Sequence, residues 1–136
     1  MSEIKNIKVR LADGTIKECS LEIPHPLPWK LIFSGLNLKS CEFYGDDLFE
    51  ALIALRIELE GMRAQVLCAG ARPNVFPSGM SRDMGGGRKA CAVLLGNHMS
   101  SDTIDIFDYA EPKLVGSVDE QKEFYEKWVE SIKRAR

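Results

Sequence analysis

The sequence predicts an α+β protein with a mostly antiparallel sheet of about five strands, an N-terminal β-hairpin, and two amphipathic helices packed on the sheet. Three observations predict this class. Apolar residues alternate with charged ones near the N-terminus, apolar residues repeat at helical spacing in two later segments, and short apolar runs lie between turn residues elsewhere. A chain of 136 residues fits one domain, which we expect to span residues 1–136.

The N-terminal hairpin is predicted by two alternating segments, IKVRL and ECSLEI, on either side of an Ala-Asp-Gly turn. A three-residue turn with Gly14 in the left-handed conformation would place Lys8 opposite Glu18 on the exposed face. The same register would place Ile7 opposite Cys19 on the buried face. A two-residue turn would mix the two faces, so the longer turn is favoured.

Each of the two helices is predicted by capping residues followed by apolar residues at helical spacing. The second helix begins at Ser117, with Glu120 at capping-box spacing, and ends in basic residues. The first begins after Asp46 or Asp47, and its apolar residues are spaced by four and three, namely Leu48, Leu52, Leu55, Leu59 and Met62. Leucines at this spacing are also compatible with a homodimer interface, although the repeat is too short to favour one.

Short apolar runs predict further strands. We expect a strand around Leu31 and Phe33, buried strands at residues 66–69 and 90–95, and a further strand at residues 103–107, whereas residues 37–45 are expected to be irregular.

The segment RPNVFPSGMSRDMGGGR, residues 72–88, shows neither helical nor strand periodicity. Connections longer than about 12–15 residues without secondary structure are uncommon in compact domains and tend to be functional or disordered. A disordered segment would usually lack valine, phenylalanine and methionine, so we expect a partly ordered binding loop. Its candidate contact residues are Arg72, Phe76, Met80, Arg82, Met84 and Arg88.

Charge is segregated along the chain. Residues 72–89 carry four basic residues and one acid, whereas residues 102–127 carry eight acids and three lysines. Such segregation orients a protein toward a partner with a complementary electrostatic field. A second group of candidate contact residues therefore lies in this acidic region and consists of Asp105, Asp108 and Glu111.

The sequence contains no recognisable motif for metal binding, phosphate binding or nucleophilic catalysis. The four cysteines form no CxxC pair and the two histidines are too few for a zinc site, so no metal and no cofactor are predicted. The glycine run lacks the lysine and helix start of a phosphate-binding loop, and no GxSxG motif marks a nucleophile. An enzyme is therefore the least favoured class.

The expected partner is another protein. A net charge of −2 argues against a nucleic-acid-binding protein. The N-terminal residues show no apolar signal segment and the sequence has no long apolar span, so we expect a cytoplasmic protein that does not enter membranes. By size and character the chain resembles the immunity partners of bacterial polymorphic toxins, although no motif carries this resemblance. It implies a small module that neutralises a toxic enzyme through the 72–88 loop and the acidic region.

The alternative function is the binding of a small anion or nucleotide by the same loop. The two functions make different structural demands. A protein interface requires Phe76 and Met80 to be exposed, whereas an anion site requires the arginines to converge and the apolar residues to be buried.

Overall fold

A computed structural model describes residues 2–25, 28–36 and 38–134, except for the side chains of residues 38 and 39. Within this part of the chain, five antiparallel strands form a sheet in the order β4-β3-β2-β1-β5. The strands are β1 (Ser2–Arg10), β2 (Ile16–Pro24), β3 (Lys30–Gly35), β4 (Leu38–Tyr44) and β5 (Gln65–Val66).

A second, smaller antiparallel sheet follows in the order β6-β7-β8. Its strands are β6 (Val75–Phe76), β7 (Lys89–Ala92) and β8 (Ile104–Asp105). The described residues also form three α-helices, α1 (Leu48–Glu60), α2 (Gly79–Gly85) and α3 (Val118–Arg134), and two short 3₁₀ turns at Ala69–Ala71 and Pro112–Leu114.

The predicted α+β class and N-terminal hairpin are confirmed. Ile7 lies opposite Cys19, and Lys8 lies opposite Glu18. Gly14 closes the three-residue turn with a φ of 89°, a conformation that glycine adopts without steric cost. The alternation of apolar and charged residues on either side of the turn therefore predicted both the register of the hairpin and its buried face.

The capping chemistry of the two predicted helices is also confirmed. The Asp47 side chain accepts a hydrogen bond of 2.8 Å from the Glu50 amide at the start of α1. At α3, Ser117 Oγ accepts from the Glu120 amide at 3.0 Å, and the Glu120 carboxylate accepts from the Ser117 amide at 2.8 Å. Met62 departs from the predicted stripe because α1 ends at Glu60, which leaves this side chain 45% exposed.

Residues 37–45 were expected to be irregular. For residues 38–44 this expectation is wrong, and residue 37 lies outside the described residues. Residues 38–44 form β4, which pairs with β3 so that Phe43 lies opposite Leu31 and Cys41 lies opposite Phe33. Because β4 is an edge strand, its inward residues are only half buried. Two apolar residues are also too few to show the alternation that predicts a strand. The expected strands at 90–95 and 103–107 correspond to β7 and β8, which are shorter, whereas only Val66 of the expected strand at 66–69 lies in a strand, β5, and Ala69 begins a 3₁₀ turn.

The expected absence of secondary structure in residues 72–88 is also wrong, because this segment contains β6 and α2. Ser78 caps α2 by accepting a hydrogen bond of 3.0 Å from the Ser81 amide, and Gly86 ends the helix with a φ of 68°. A seven-residue helix and a two-residue strand are too short for their apolar residues to repeat at a recognisable spacing.

The buried residues form one continuous hydrophobic cluster that joins the inner face of the large sheet, α1 and the small sheet. Three cysteines, Cys19, Cys68 and Cys91, are buried in it or at its edge, and burial raises the pKa of the Cys68 thiol to about 11. In the described part of the chain, no helix is long and apolar enough to cross a membrane.

Candidate binding surface

Polar contacts fix the inward side of α2 to the body of the protein. Arg82 Nη1 lies 2.9 Å from the Asp47 carboxylate and 3.4 Å from that of Glu50. Its guanidinium also lies over the Phe49 ring, 5.1 Å from the ring centre. These contacts join α2 to the first turn of α1.

Two glycines bring the end of α2 close to its neighbours. Gly86 and Gly87 have φ values of 68° and 72°, and their missing Cβ atoms would lie 2.7 Å from the Trp29 ring and 2.9 Å from the Asp47 carboxyl carbon. The Gly86 carbonyl accepts a hydrogen bond of 2.7 Å from the Leu48 amide, and the Gly87 amide donates to Ser81. The glycine run therefore ends the helix and permits close packing.

The outward side of α2 carries two exposed methionines. Met80 and Met84 are four residues apart, and they are 72% and 83% exposed. Since side chains four apart share one helix face, the two thioethers form a single apolar strip beside the exposed Asp83. No residue of α2 is buried, so this helix does not serve to fill the core.

A groove of about 760 Å³ lies next to α2, between α1 and α3. Its apolar lining comes from Phe49, Ile53, Ile57, Phe76, Pro77, Val118 and Tyr125. Its rim is of mixed charge and is formed by Glu50, Arg82, Asp119 and Lys122. Because Gly79 and Arg82 also line it, the groove and the methionine strip are neighbours. We call the two together the docking surface.

Phe76 was expected to project from a loop and contact a partner, but the structure places it inside. It is only 4% exposed, and its ring packs edge-on against Tyr125 with the ring centres 4.9 Å apart. It pairs with Cys91 across the small sheet. Phe76 therefore forms part of the groove floor instead of a projecting anchor.

Arg88 and Asp105 came from the two oppositely charged groups of predicted contact residues, and in the structure they bind each other. Arg88 Nε lies 2.9 Å from the Asp105 carboxylate, while its two terminal nitrogens lie 2.7 and 2.9 Å from the two Glu3 oxygens. Hydrogen bonds from this guanidinium lower the pKa of Glu3, and the same bonds raise the pKa of Arg88. This cluster joins β1 to the small sheet.

Arg72 lies apart from the docking surface. It lines a shallow cavity of about 420 Å³ together with Asp108, Tyr109 and Glu111, and this cavity shares no lining residue with the groove. Its Nε is buried, and within the described residues no hydrogen-bond partner reaches it. Asp108 and Glu111 are both exposed. The six predicted loop residues thus separate into three places.

A buried polar cluster that sequence reasoning missed fixes the walls of the groove. Arg56 is buried in α1, and it donates to Gln121 and to the carbonyls of Gly70 and Gly116, each carbonyl at 3.2 Å. Gln121 Nε2 in turn donates to the carbonyls of Gly70 and Val75, at 2.9 and 3.0 Å. The cluster thereby joins α1, α3 and β6.

The described residues contain no group of three or more His, Cys, Asp or Glu side chains arranged to hold a metal ion. Compared with known proteins, the sequence matches no family model and no curated protein. The fold and the geometry of the docking surface are therefore the basis for a functional proposal.

Proposed function

We propose that this protein is a protein-binding module that contacts its partner through the docking surface. One observation supports this function above the others. The chain holds α2 in place with a capped start, an ion pair and two close-packed glycines, yet the helix buries none of its own residues and exposes Met80 and Met84.

Burial of the methionine strip against a partner would be energetically favourable. Burying a methionine side chain contributes about 1.5–3 kcal/mol, and its flexible thioether adapts to the shape of a partner. The groove adds further apolar area, including the exposed Ile57 and Tyr125. Because α2 is already fixed, little ordering free energy would be lost on association.

The partner that we favour is a toxic enzyme, which this protein would inhibit. A small protein with a preformed surface can block a cleft as a rigid body, without a catalytic group of its own. Asp108 and Glu111 are exposed and suit a second contact with a basic region of such an enzyme. Asp105 is not part of this contact because it is bound to Arg88.

Binding of a small anion or nucleotide is the weaker alternative. That function requires converging arginines, but Arg82 and Arg88 are directed to different carboxylates. Arg72 keeps an unpartnered Nε among the described residues, yet Asp108 and Glu111 line the same cavity and would repel a phosphate.

The proposal is tested by affinity capture from the native cells with three forms of the tagged protein. These are the wild type, Met80→Glu/Met84→Glu, and a control, Leu94→Glu/Leu95→Glu, which makes the same change at an exposed apolar pair outside the docking surface. The captured partner is then purified, and its affinity for each form is measured by calorimetry. We expect the methionine variant to bind about 100-fold more weakly because two apolar contacts become charged, and the control to bind as the wild type does.

Equal binding of a partner to all three forms would refute the docking surface. Inhibition is assayed separately, by measuring the activity of the purified partner with and without this protein. An active partner that the wild type leaves uninhibited would refute the inhibitor function while leaving the binding function intact.

A further inference from the structure

We propose that Met80 and Met84 are reversible oxidation sites, at which a peroxide converts each thioether to a sulfoxide and so makes the methionine strip polar. The consequence for binding rests on the proposed function. The oxidation itself depends only on this chain.

Solvent exposure is graded among the four methionines that the structure describes. Met84 and Met80 are 83% and 72% exposed, Met62 is 45% exposed, and Met99 packs against the hydrophobic core. Since the oxidant must reach the sulfur atom, oxidation is expected to be fastest at Met84 and Met80 and slowest at Met99.

Three of the four cysteines, Cys19, Cys68 and Cys91, are buried and compete poorly with the methionines for peroxide. A thiolate is normally the faster target, and its formation requires a low pKa and solvent access. Burial raises the pKa of Cys19, Cys68 and Cys91. The Cys91 thiol also donates a hydrogen bond to the Ser100 carbonyl at 3.1 Å. These three thiols are therefore poor targets in the folded protein.

The reaction is a two-electron oxygen transfer. The sulfur lone pair attacks one peroxide oxygen, an S–O bond forms, and the O–O bond breaks. The leaving hydroxide takes the proton from the transferred oxygen and becomes water, so that sulfur is oxidised to the sulfoxide and peroxide is reduced. Methionine sulfoxide reductases, which act on the two sulfoxide epimers, reverse the change where the side chain is accessible to them.

Oxidation at these positions should leave the fold intact. The Ser78 cap, the Arg82 ion pair and the contacts of Gly86 and Gly87 fix α2, and none of them involves a methionine side chain. The sulfoxide therefore changes the chemistry of the strip without removing a contact that holds the helix. Oxidation would act on association and not on stability.

The oxidation sites are tested by treating the folded protein with hydrogen peroxide and following each methionine peptide by mass spectrometry. We expect Met84 and Met80 to react at least about fivefold faster than Met99, with Met62 between them. In concentrated urea the rates should become similar, because unfolding exposes every sulfur. Oxidation of Met99 as fast as Met80 and Met84 in the folded protein would overturn the proposal.

Binding is tested with the oxidised protein, the same sample after reductase treatment, and Met80→Gln/Met84→Gln, in which glutamine imitates the polarity and length of the sulfoxide. We expect the oxidised protein and the glutamine variant to bind the partner about tenfold more weakly, and the reductase to restore the affinity. Unchanged affinity after complete oxidation would refute the switch. Failure of the unoxidised protein to bind any partner would refute the proposed function alone, because the ranking of rates is measured without a partner.

Discussion

At the scale of single residues, Gly86 brings the end of α2 into close contact with Trp29. Gly86 combines a φ of 68° with a position against the Trp29 ring, so a side chain here would meet both backbone strain and a clash. Gly79, at the other end of α2, has nothing within 4 Å of its missing Cβ. The two glycines of one helix therefore provide a matched comparison.

We expect Gly86→Ala to lower the free energy of unfolding by about 1–3 kcal/mol, since alanine must adopt the left-handed conformation and displace the Trp29 ring. Gly79→Ala should change the free energy of unfolding by less than about 0.5 kcal/mol or increase it slightly, because alanine is the better helix former. Chemical denaturation of both variants measures the difference. Equal stability of the two variants would show that the close packing of Gly86 does not hold α2.

At the scale of secondary-structure elements, the Arg56–Gln121 cluster connects α1 to α3. Arg56 lies in the middle of α1 and is fully surrounded, and burial lowers the pKa of its guanidinium. Its side chain crosses to the carbonyl groups around α3 and the 3₁₀ turn at Ala69–Ala71. One polar cluster therefore contacts both walls of the groove.

Replacing Arg56 by methionine should lower the free energy of unfolding by about 3 kcal/mol or more, because the Gln121 side-chain oxygen and the Gly116 carbonyl lose their Arg56 donor and the Gly70 carbonyl loses one of its two donors. Arg10→Met, at an exposed strand position, is the control and should change stability by less than about 0.5 kcal/mol. Thermal and urea unfolding measure both changes. A loss in Arg56→Met no greater than that of the control would show that apolar packing alone holds α1 against α3.

At the scale of the whole molecule, the Glu3–Arg88–Asp105 cluster connects the N-terminal strand to the small sheet. Because hydrogen bonds from Arg88 lower the pKa of Glu3, the folded state holds the Glu3 proton less tightly than the unfolded state does. The resulting stability is present above the ordinary pKa of 4.5 and is lost as the pH falls through the lower pKa of the folded protein.

Glu3→Gln should therefore destabilise the protein at neutral pH by about 0.5 kcal/mol, the typical value of a half-exposed ion pair, and the difference should disappear in acid. Melting curves of the wild type and the variant at a series of pH values measure this difference. In an Arg88→Gln background, Glu3→Gln should have no such pH-dependent effect, which is the control. A difference that stays constant down to strongly acidic pH would contradict the linkage.

The sequence predicted well where the determining chemistry is local. The hairpin register follows from the alternation around Gly14, and the starts of α1 and α3 follow from Asp47 and Ser117, whose capping contacts span only a few residues. The segment 72–88 was less predictable because its two elements are too short for a period. Asp47 could be recognised as a helix cap, but nothing local showed that it also binds Arg82.

By itself the sequence determined the fold class, the hairpin with its buried face, the caps of the two long helices, and the unusual composition of residues 72–88. Only the tertiary structure decided which of those residues face solvent. Met80 and Met84 are exposed, Phe76 is buried, and Arg88 binds Glu3, 85 residues away along the chain. The physical reason is that burial and ion pairing depend on which distant elements pack together, whereas alternation and capping depend on neighbours within a few residues of the same chain.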